Sequence, residues 1–306
     1  MRIANLLVAA CTASTALAWG SLGHRTVAYL ASLYLTPEAT RWTNRLLNGQ
    51  DISEAALFPD KIAHIPIFAY TRAWHYIDAA DDPPRLCAIN ITRDCLPHTG
   101  CVVSAIANHT ARVLDPSLPR FLQAQSLRFV LHFIGDIHQP LHTEKEDRGG
   151  NGIEVVFDGR RTNLHSVWDS LMPNKYRKRD EWWPGPPGDP RREREEEASF
   201  LWAKELFDSD GEAGDVSREC VSDAAECALE WAQEANGYVC SYVLRDDVEG
   251  VQAGDLGGEY YVGAVEILDQ QVRNGGRRLA AWLNLMADAT GDEASDGMLI
   301  VQDELK

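Results

Sequence analysis

Apolar residues recur at the spacing of an α-helix along nearly the whole chain beyond residue 20, and one short stretch departs from this pattern. That stretch, residues 152–158, alternates like a strand. Turns rich in Pro, Gly and Asp divide the helical part into stretches of about 20–35, 51–64, 102–114, 120–138, 163–172, 196–208, 217–245 and 259–289. The sequence therefore predicts a mainly α fold with a minor β-hairpin.

The boundaries of these stretches carry further signals. Thr36-Pro37-Glu38 has the N-cap, first-turn proline and first-turn acid that open a helix. Residues 176–197, rich in Trp, Pro and Gly and then in Arg and Glu, favour a surface loop leading into a solvated helix start. An acidic, loosely held tail is expected beyond about residue 290. No linker, repeat or shift in composition marks a boundary, so we predict one domain over residues 19–306.

The first 18 residues have the composition of a secretory signal peptide. They combine a basic start, a small apolar stretch over residues 3–17 and a small-x-small cleavage site at residues 16–18. We predict cleavage before Trp19 and a secreted, extracellular protein without a membrane anchor, since no later stretch is long and apolar enough to span a bilayer. The glycosylation sequons at Asn90 and Asn108 are consistent with this compartment.

Six cysteines remain after the predicted cleavage: Cys87, Cys95, Cys101, Cys220, Cys227 and Cys240. An even number in an oxidising compartment indicates disulfide bonds. Spacing alone does not decide the pairing, although the second with the third, and the fourth with the fifth, are close enough to close local loops.

The formal net charge of −17 argues against a broad basic groove for duplex DNA, because phosphate neutralisation usually requires Lys and Arg. If the ligand is a polyanion, metal ions must supply the positive field.

Histidine and aspartate fall at spacings that suit such a metal site. His132 and Asp136 are four residues apart within a helical stretch, so both project from one face. His165 and Asp169 repeat this spacing on another helix. One such pair is more often structural, but two pairs, with His142 just after a helix-stopping proline, favour a site between facing helices. His with Asp suits zinc.

Three further candidates, His24, Asp60 and His75, lie upstream. With them the chain resembles the single-strand-specific zinc nucleases of fungi and plants, the nuclease P-one and nuclease S-one family. The resemblance spans essentially all of the chain from residue 19. Its densest parts are residues 19–24 (WGSLGH), 74–78 (WHYID), 132–142 (HFIGDIHQPLH), 149–152 (GGNG) and 163–169 (NLHSVWD).

The resemblance implies a single-domain, multi-helix fold of the phospholipase C and zinc nuclease type that binds three Zn²⁺ ions. It implies one zinc held by Asp60, His75, His132 and Asp136, and a second held by His142, His165 and Asp169. The third would use the free amino group and carbonyl of Trp19 with His24, and would share Asp136 with the first. The remaining histidines, His64, His98, His109 and His138, are expected not to bind metal.

The resemblance also implies hydrolysis of single-stranded DNA and RNA to 5′-phosphorylated products, and removal of phosphate from 3′-mononucleotides. Hydroxide held between the zinc ions bridged by Asp136 would attack the phosphate. Asp60, Asp136 and Asn151 are the expected catalytic residues. We also expect a monomer.

The expected substrate-binding residues are Tyr76, Asp78, Asn151 and Lys61. Tyr76 would stack on a base, which contributes about 1–3 kcal/mol, and Asp78 would hydrogen-bond a base edge. Alternatively, these two side chains only pack beside His75. Family members commonly carry a basic residue three positions after Asp60, where this chain has Ala63; Lys61 or His64 could substitute for it.

Two other functions remain open at this stage. A zinc-dependent phospholipase C would share the fold and metal cluster, but a Tyr76–Asp78 pocket suits a nucleobase better. A catalytically weak secreted binding or effector protein would retain zinc only for structure, and Ala63 is the feature in its favour.

Overall fold

The computed structural model describes residues 19–177, 190–210 and 219–291, and it is mostly helical, as predicted. The helices of the first half are α1 (Ser21–Leu33), α2 (Pro37–Leu46), α3 (Ile52–Ala56), α4 (Phe58–Ala63), α5 (Ile91–Asp94), α6 (Val102–Leu114) and α7 (Arg120–Asp136). Those of the second half are α8 (Leu164–Ser166), α9 (Met172–Tyr176), α10 (Pro190–Ser209), α11 (Glu219–Ser222), α12 (Ala224–Tyr238), α13 (Asp247–Gln252) and α14 (Glu259–Ala289).

Helical segments of other types join several of these helices. Two are 3₁₀ helices, Pro66–His75 and Pro140–Thr143, and two are π-helical turns, Val167–Leu171 and Val239–Val243. The ten-residue 3₁₀ helix was not predicted, because its three-residue repeat leaves no α-helical stripe in the sequence.

The described residues contain one two-stranded antiparallel sheet, formed by β1 (Glu154–Phe157) and β2 (Arg160–Asn163). Asp158 and Gly159 join the strands, both with positive φ, as a two-residue hairpin turn requires. This confirms the predicted hairpin. The helix expected over 163–172 is corrected, because residue 163 belongs to β2 and the residues after it are divided among α8, the π-helical turn Val167–Leu171 and α9. Asn163 ends β2 and caps α8 by accepting a hydrogen bond from the amide of Ser166 at 2.8 Å.

Three other predicted boundaries differ from the structure. Residues 190–197 are helical, whereas the sequence favoured a loop through 197; Pro190 can open α10 because the first helical residue needs no amide donor. Residues 178–189 of that predicted loop lie outside the described residues. Asp223 divides the 217–245 stretch by capping α12. The 51–64 stretch is divided into α3 and α4. Pro59 lies in the first turn of α4, and a proline has no amide hydrogen with which to continue the hydrogen bonding of α3.

The core centres on two helices that are buried on almost every side. Helix α1 packs against α3, α7, α10 and α14, and the C-terminal half of α7 is fully enclosed. A helix buried all round is normally apolar, yet these two carry His24, Arg25, His132 and Asp136 in their buried parts. The interior therefore holds polar groups that need partners.

The six cysteines form three disulfides, Cys87–Cys240, Cys95–Cys101 and Cys220–Cys227. Both local loops considered from the spacing are therefore formed. Within the part of the chain that the structure describes, no helix has the length and apolar character needed to cross a bilayer. The predicted signal peptide, residues 1–18, and the tail from residue 292 lie outside the described residues.

Candidate metal centre

Four predicted ligands meet where α4, the long 3₁₀ helix and α7 converge. His75 Nδ1 lies 3.0 Å from His132 Nε2 and 3.1 Å from Asp136 Oδ2, and the last two atoms are 3.2 Å apart. Asp60 Oδ1 lies 3.3 Å from His132 Nε2 and 3.6 Å from His75 Nδ1. A tetrahedral zinc with bonds of about 2.0–2.1 Å spaces its ligand atoms about 3.3–3.4 Å apart. These separations fit such an ion.

Asp136 joins this group to another. Its second oxygen, Oδ1, lies 3.3 Å from His24 Nε2, and the His24 ring stacks on His132 with 3.8 Å between ring centroids. The donor atoms of His24, His132 and Asp136 can converge on one ion. Because the carboxylate offers one oxygen to each side, Asp136 can bridge two ions.

A third group brings together His142 of the 3₁₀ helix Pro140–Thr143, His165 of α8 and Asp169 of the π-helical turn Val167–Leu171. His165 Nε2 lies 2.9 Å from Asp169 Oδ2, and His142 Nε2 lies 3.6 Å from Asp169 Oδ1. His142 also approaches Asp136 Oδ1, at 3.4 Å from its Nδ1. The third group is therefore adjacent to the bridging carboxylate.

Backbone carbonyls orient three of the histidines. The Nδ1 atoms of His132, His142 and His165 lie 2.7, 2.9 and 2.5 Å from the carbonyl oxygens of Ala56, His75 and Gly149. When Nδ1 carries the proton and donates it to a carbonyl, the Nε2 lone pair is left for a metal. Gly149 allows this contact at φ +61°, and a Cβ there would lie 2.7 Å from the Leu141 carbonyl.

Many ligand atoms are buried without a hydrogen-bond partner. They include Nε2 of His24, His142 and His165, and one carboxylate oxygen each of Asp60, Asp136 and Asp169. Buried polar atoms are rarely left unpaired, because desolvation costs about 1–3 kcal/mol for each. Bound cations would satisfy all of these atoms at once, so the donor set fits metal.

The electrostatics of the first two groups also call for added positive charge. Burial, and then the nearby Asp60 and Asp169, raise the pKa of Asp136 well above its usual range. Burial, reinforced by neighbouring imidazoles, lowers the pKa values of His24 and His75 well below normal. Neutral imidazoles and a destabilised carboxylate are what a bound cation would stabilise.

The third group is balanced internally. Burial opposes ionisation of Asp169, but His165 and His142 outweigh it and lower the pKa of Asp169. Burial likewise disfavours the charged form of His165, yet Asp169 raises the pKa of His165 overall. The contact between His165 and Asp169 thus favours the charged form of both side chains.

Gln139 is a candidate functional residue that the sequence did not single out. It is fully buried, its Nε2 donates to Asp169 Oδ1 at 2.5 Å, and its Oε1 accepts from the amide of Leu141 at 2.6 Å. It therefore orients the carboxylate of Asp169, a candidate metal ligand. The available signal was its position in the short segment between two predicted ligands, Asp136 and His142.

Comparison with known proteins finds relatives that match along most of the chain. The S1/P1 nuclease family model matches residues 19–288. Nuclease P1 of Penicillium citrinum is 38% identical over 277 aligned positions, covering 87% of this chain and 97% of that protein. Nuclease S1 of Aspergillus oryzae is 36% identical over 285 positions, covering 88% and 92%. Endonuclease 3 of Arabidopsis thaliana is 30% identical over 306 positions, covering 94% and 96%.

The chain belongs to the S1/P1 nuclease family. Its relatives are named nucleases and endonucleases, which supports a hydrolase acting on nucleic acid and disfavours the phospholipase reading. In the S1/P1 nuclease described here, eight of the nine predicted ligands lie in the three groups above.

The ninth, Trp19, directly precedes a residue that contacts the third group. Its side chain is fully buried, and the next residue, Gly20, donates its amide to the Asp169 carbonyl at 2.8 Å. The backbone directly after residue 19 therefore contacts the π-helical turn that carries Asp169.

Tyr76 and Asp78 lie on an extended segment that leaves the 3₁₀ helix directly after His75. The Ile77 amide donates to the His142 carbonyl at 2.8 Å, which ties the segment to the centre. Residues two apart on an extended chain face the same side, and both side chains are half-buried. Burial, and then Asp78, raise the pKa of Tyr76. Among the described residues, neither side chain has a hydrogen-bond partner, so both are available to a ligand.

The other predicted substrate contacts differ in their surroundings. Asn151 is partly buried, and its Nδ2 donates to the Arg148 carbonyl at 2.9 Å. Lys61 is exposed and forms an ion pair with Glu54. Ala63 is fully buried.

The four histidines set aside as non-ligands, His64, His98, His109 and His138, are absent from the metal-compatible groups of the described chain. His138 is buried, with Nδ1 2.7 Å from the Ile134 carbonyl and Nε2 2.8 Å from Arg278.

Proposed function

We propose that this S1/P1 nuclease is a secreted, zinc-dependent endonuclease. It would hydrolyse single-stranded DNA and RNA to 5′-phosphorylated products and remove phosphate from 3′-mononucleotides. The observation that carries the proposal is the set of three ligand groups joined at Asp136 beside the unpartnered Tyr76 and Asp78. A phosphate at the metals would leave its base within reach of these two side chains.

Zinc ions in the three groups would neutralise phosphate charge and activate water for attack on phosphorus. The chain's own residues prepare the site for that chemistry. Asp136 directs one oxygen to the group at His24 and the other to the group at His75. The backbone carbonyls that contact Nδ1 of His132, His142 and His165 fix the tautomer of each ring. Attack in line with O3′ breaks the P–O3′ bond, so the new ends are a 3′-hydroxyl and a 5′-phosphate.

Substrate selection is assigned to the extended segment after His75. The Tyr76 ring would stack on a base, a contact that tolerates any base because each has a π face. Asp78 would accept a hydrogen bond from a base edge, and Asn151 would contact the phosphate or sugar. A base inside a duplex is already stacked and paired, which accounts for the preference for single strands.

The amino end completes the proposal. Signal cleavage before Trp19 would create a free α-amine, and the amine and carbonyl of Trp19 would join His24 and Asp136 as ligands of the ion between those two side chains. An uncleaved chain would lack that ligand. We also propose that the protein acts as a monomer.

The test compares release of acid-soluble nucleotides from single-stranded DNA, RNA and duplex DNA by protein that begins at Trp19. The same assay follows chelation and zinc restoration, and a version with Ala18 retained serves as the matched control. Zinc-dependent cutting confined to single strands, and weakened by the extra residue, is the expected outcome. A zinc-loaded protein that cuts nothing would refute the proposal and support a binding or effector role.

A further inference from the structure

Arg72 stands on the same helix as the metal-site residue His75. The two are three residues apart in the 3₁₀ helix Pro66–His75. Residues three apart in a 3₁₀ helix lie on one face, separated by about 6 Å along its axis. Arg72 is exposed, whereas His75 is buried. Its guanidinium therefore extends to solvent from the face that carries a ligand of the metal centre.

A second contact ties Arg72 to the helix that supplies Asp60. The Arg72 Nε–H donates to the carbonyl oxygen of Ala63, the last residue of α4, at 2.8 Å. Ala63 lies three residues after Asp60, on the same side of that short helix. The guanidinium is thus held between the two segments that bring Asp60 and His75 to the centre.

The remaining donors of this guanidinium are uncommitted. Among the described residues, no carboxylate forms an ion pair with Arg72, and the Ala63 carbonyl is its one hydrogen-bond acceptor. Lys61, the cation expected from the sequence to serve here, is engaged by Glu54, which also binds Arg25 at 2.6 Å. In a chain of net charge −17, a cation beside the site without a local counter-charge is unusual.

We propose that Arg72 is the residue that binds a backbone phosphate of the single-stranded substrate next to the metal centre. This inference rests on the proposed function. The Nη1 and Nη2 groups present a planar fork of N–H donors, which matches two oxygens of one phosphate. The bond from Nε to Ala63 fixes the direction of the fork, so less side-chain freedom is lost when the phosphate binds.

The contact with Ala63 has a purely structural consequence as well. A cation at a helix C-terminus satisfies a terminal carbonyl and interacts favourably with the helix dipole. Removing Arg72 therefore lowers stability whether or not it binds substrate. Salt dependence separates the two roles, because only a phosphate contact releases counterions when substrate binds.

The experiment measures binding of a fluorescent single-stranded oligonucleotide with cleavage-resistant phosphorothioate linkages, from low to high salt. Wild type is compared with Arg72→Ala and Arg72→Lys. Loss of one phosphate contact lowers the slope of log affinity against log salt by about 0.7 for a single strand, and affinity at low salt falls about 10- to 100-fold. Arg72→Lys keeps the slope and recovers part of the affinity. Arg41→Ala, which removes an exposed arginine paired with Glu38 on α2, controls for net charge and leaves both values unchanged.

A lower melting temperature for Arg72→Ala, with the wild-type slope and affinity, would overturn the inference and leave only the capping role. If Arg72→Ala does not fold, the test uses Arg72→Lys. An intermediate affinity with the wild-type slope, together with unchanged binding by Arg41→Ala, would support the inference. Wild-type affinity in Arg72→Lys would refute it. Because binding is measured without hydrolysis, a wild-type protein that binds but does not cut would contradict the proposed function and leave this inference open to the same comparison.

Discussion

Substituting Gly135 by Ala should remove one metal ion from the centre without unfolding the protein. Gly135 precedes Asp136 on α7 and lies against the His24 ring. A Cβ at residue 135 would stand 2.8 Å from His24 Nδ1 and 3.2 Å from its Cε1. Optimal non-bonded separations begin at about 3.5 Å, so the ring must move by about 0.7 Å. His132 stacks on this ring with 3.8 Å between ring centroids, which leaves the ring little room.

The magnitude follows from two opposing terms. Alanine in a helix interior is favoured over glycine by about 1 kcal/mol, whereas overpacking a core costs about 1–3 kcal/mol. The metal-free protein should therefore lose between about 0 and 2 kcal/mol. A ligand displaced by about 0.7 Å exceeds the roughly 0.2 Å tolerance of a metal bond, so the ion at His24 should be lost.

The assay is zinc content by mass spectrometry, together with melting temperature before and after chelation. Gly237→Ala is the matched control, since Gly237 lies on α12 with no atom within 4 Å of an added Cβ. It should keep all its zinc and melt about 2 °C higher. Gly135→Ala should bind one zinc fewer than wild type. If it kept the full complement and melted higher, as the control does, the reasoning would be refuted.

Three further outcomes are expected. Gln139→Met removes the hydrogen bond that orients Asp169, so zinc affinity measured by competition with a chelator should fall about 10- to 100-fold; unchanged affinity would exclude that role. Replacing Cys87 and Cys240 by Ser opens a link across 153 residues, and urea unfolding should show a loss of about 5 kcal/mol. The pair separated by six residues should cost about 2 kcal/mol, and equal losses would contradict the loop-length argument. Burial, reinforced by Arg112, lowers the pKa of His109 to about 3, below its unfolded value of 6.5. The unfolded chain then binds the extra proton between these pH values, so stability falls with acidification through that window. By pH 4.5 this amounts to about 2–3 kcal/mol, and His109→Phe should melt with a weaker pH dependence; an identical dependence would rule this out.

The sequence alone was sufficient for features that depend on local spacing. Hydrophobic periodicity predicted α6 and α14 with their observed bounds, because one buried face of a helix is recorded every three to four residues. The four-residue spacing of His132 and Asp136, and of His165 and Asp169, placed each pair on one face for the same reason. Thr36 caps α2 as its residue type indicated, accepting the amide of Ala39 at 3.1 Å.

Only the tertiary structure could decide contacts between segments far apart in the chain. The stacking of His24 on His132, the bond from Gln139 to Asp169 and the anchoring of Arg72 on Ala63 depend on the path of the backbone, which leaves no periodic trace in the sequence. The long 3₁₀ helix escaped prediction because its repeat differs from that of an α-helix. The residue types required by a metal centre are thus readable from sequence, whereas the separations near 3.3 Å between donor atoms exist only after α4, α7 and the 3₁₀ helix have packed together.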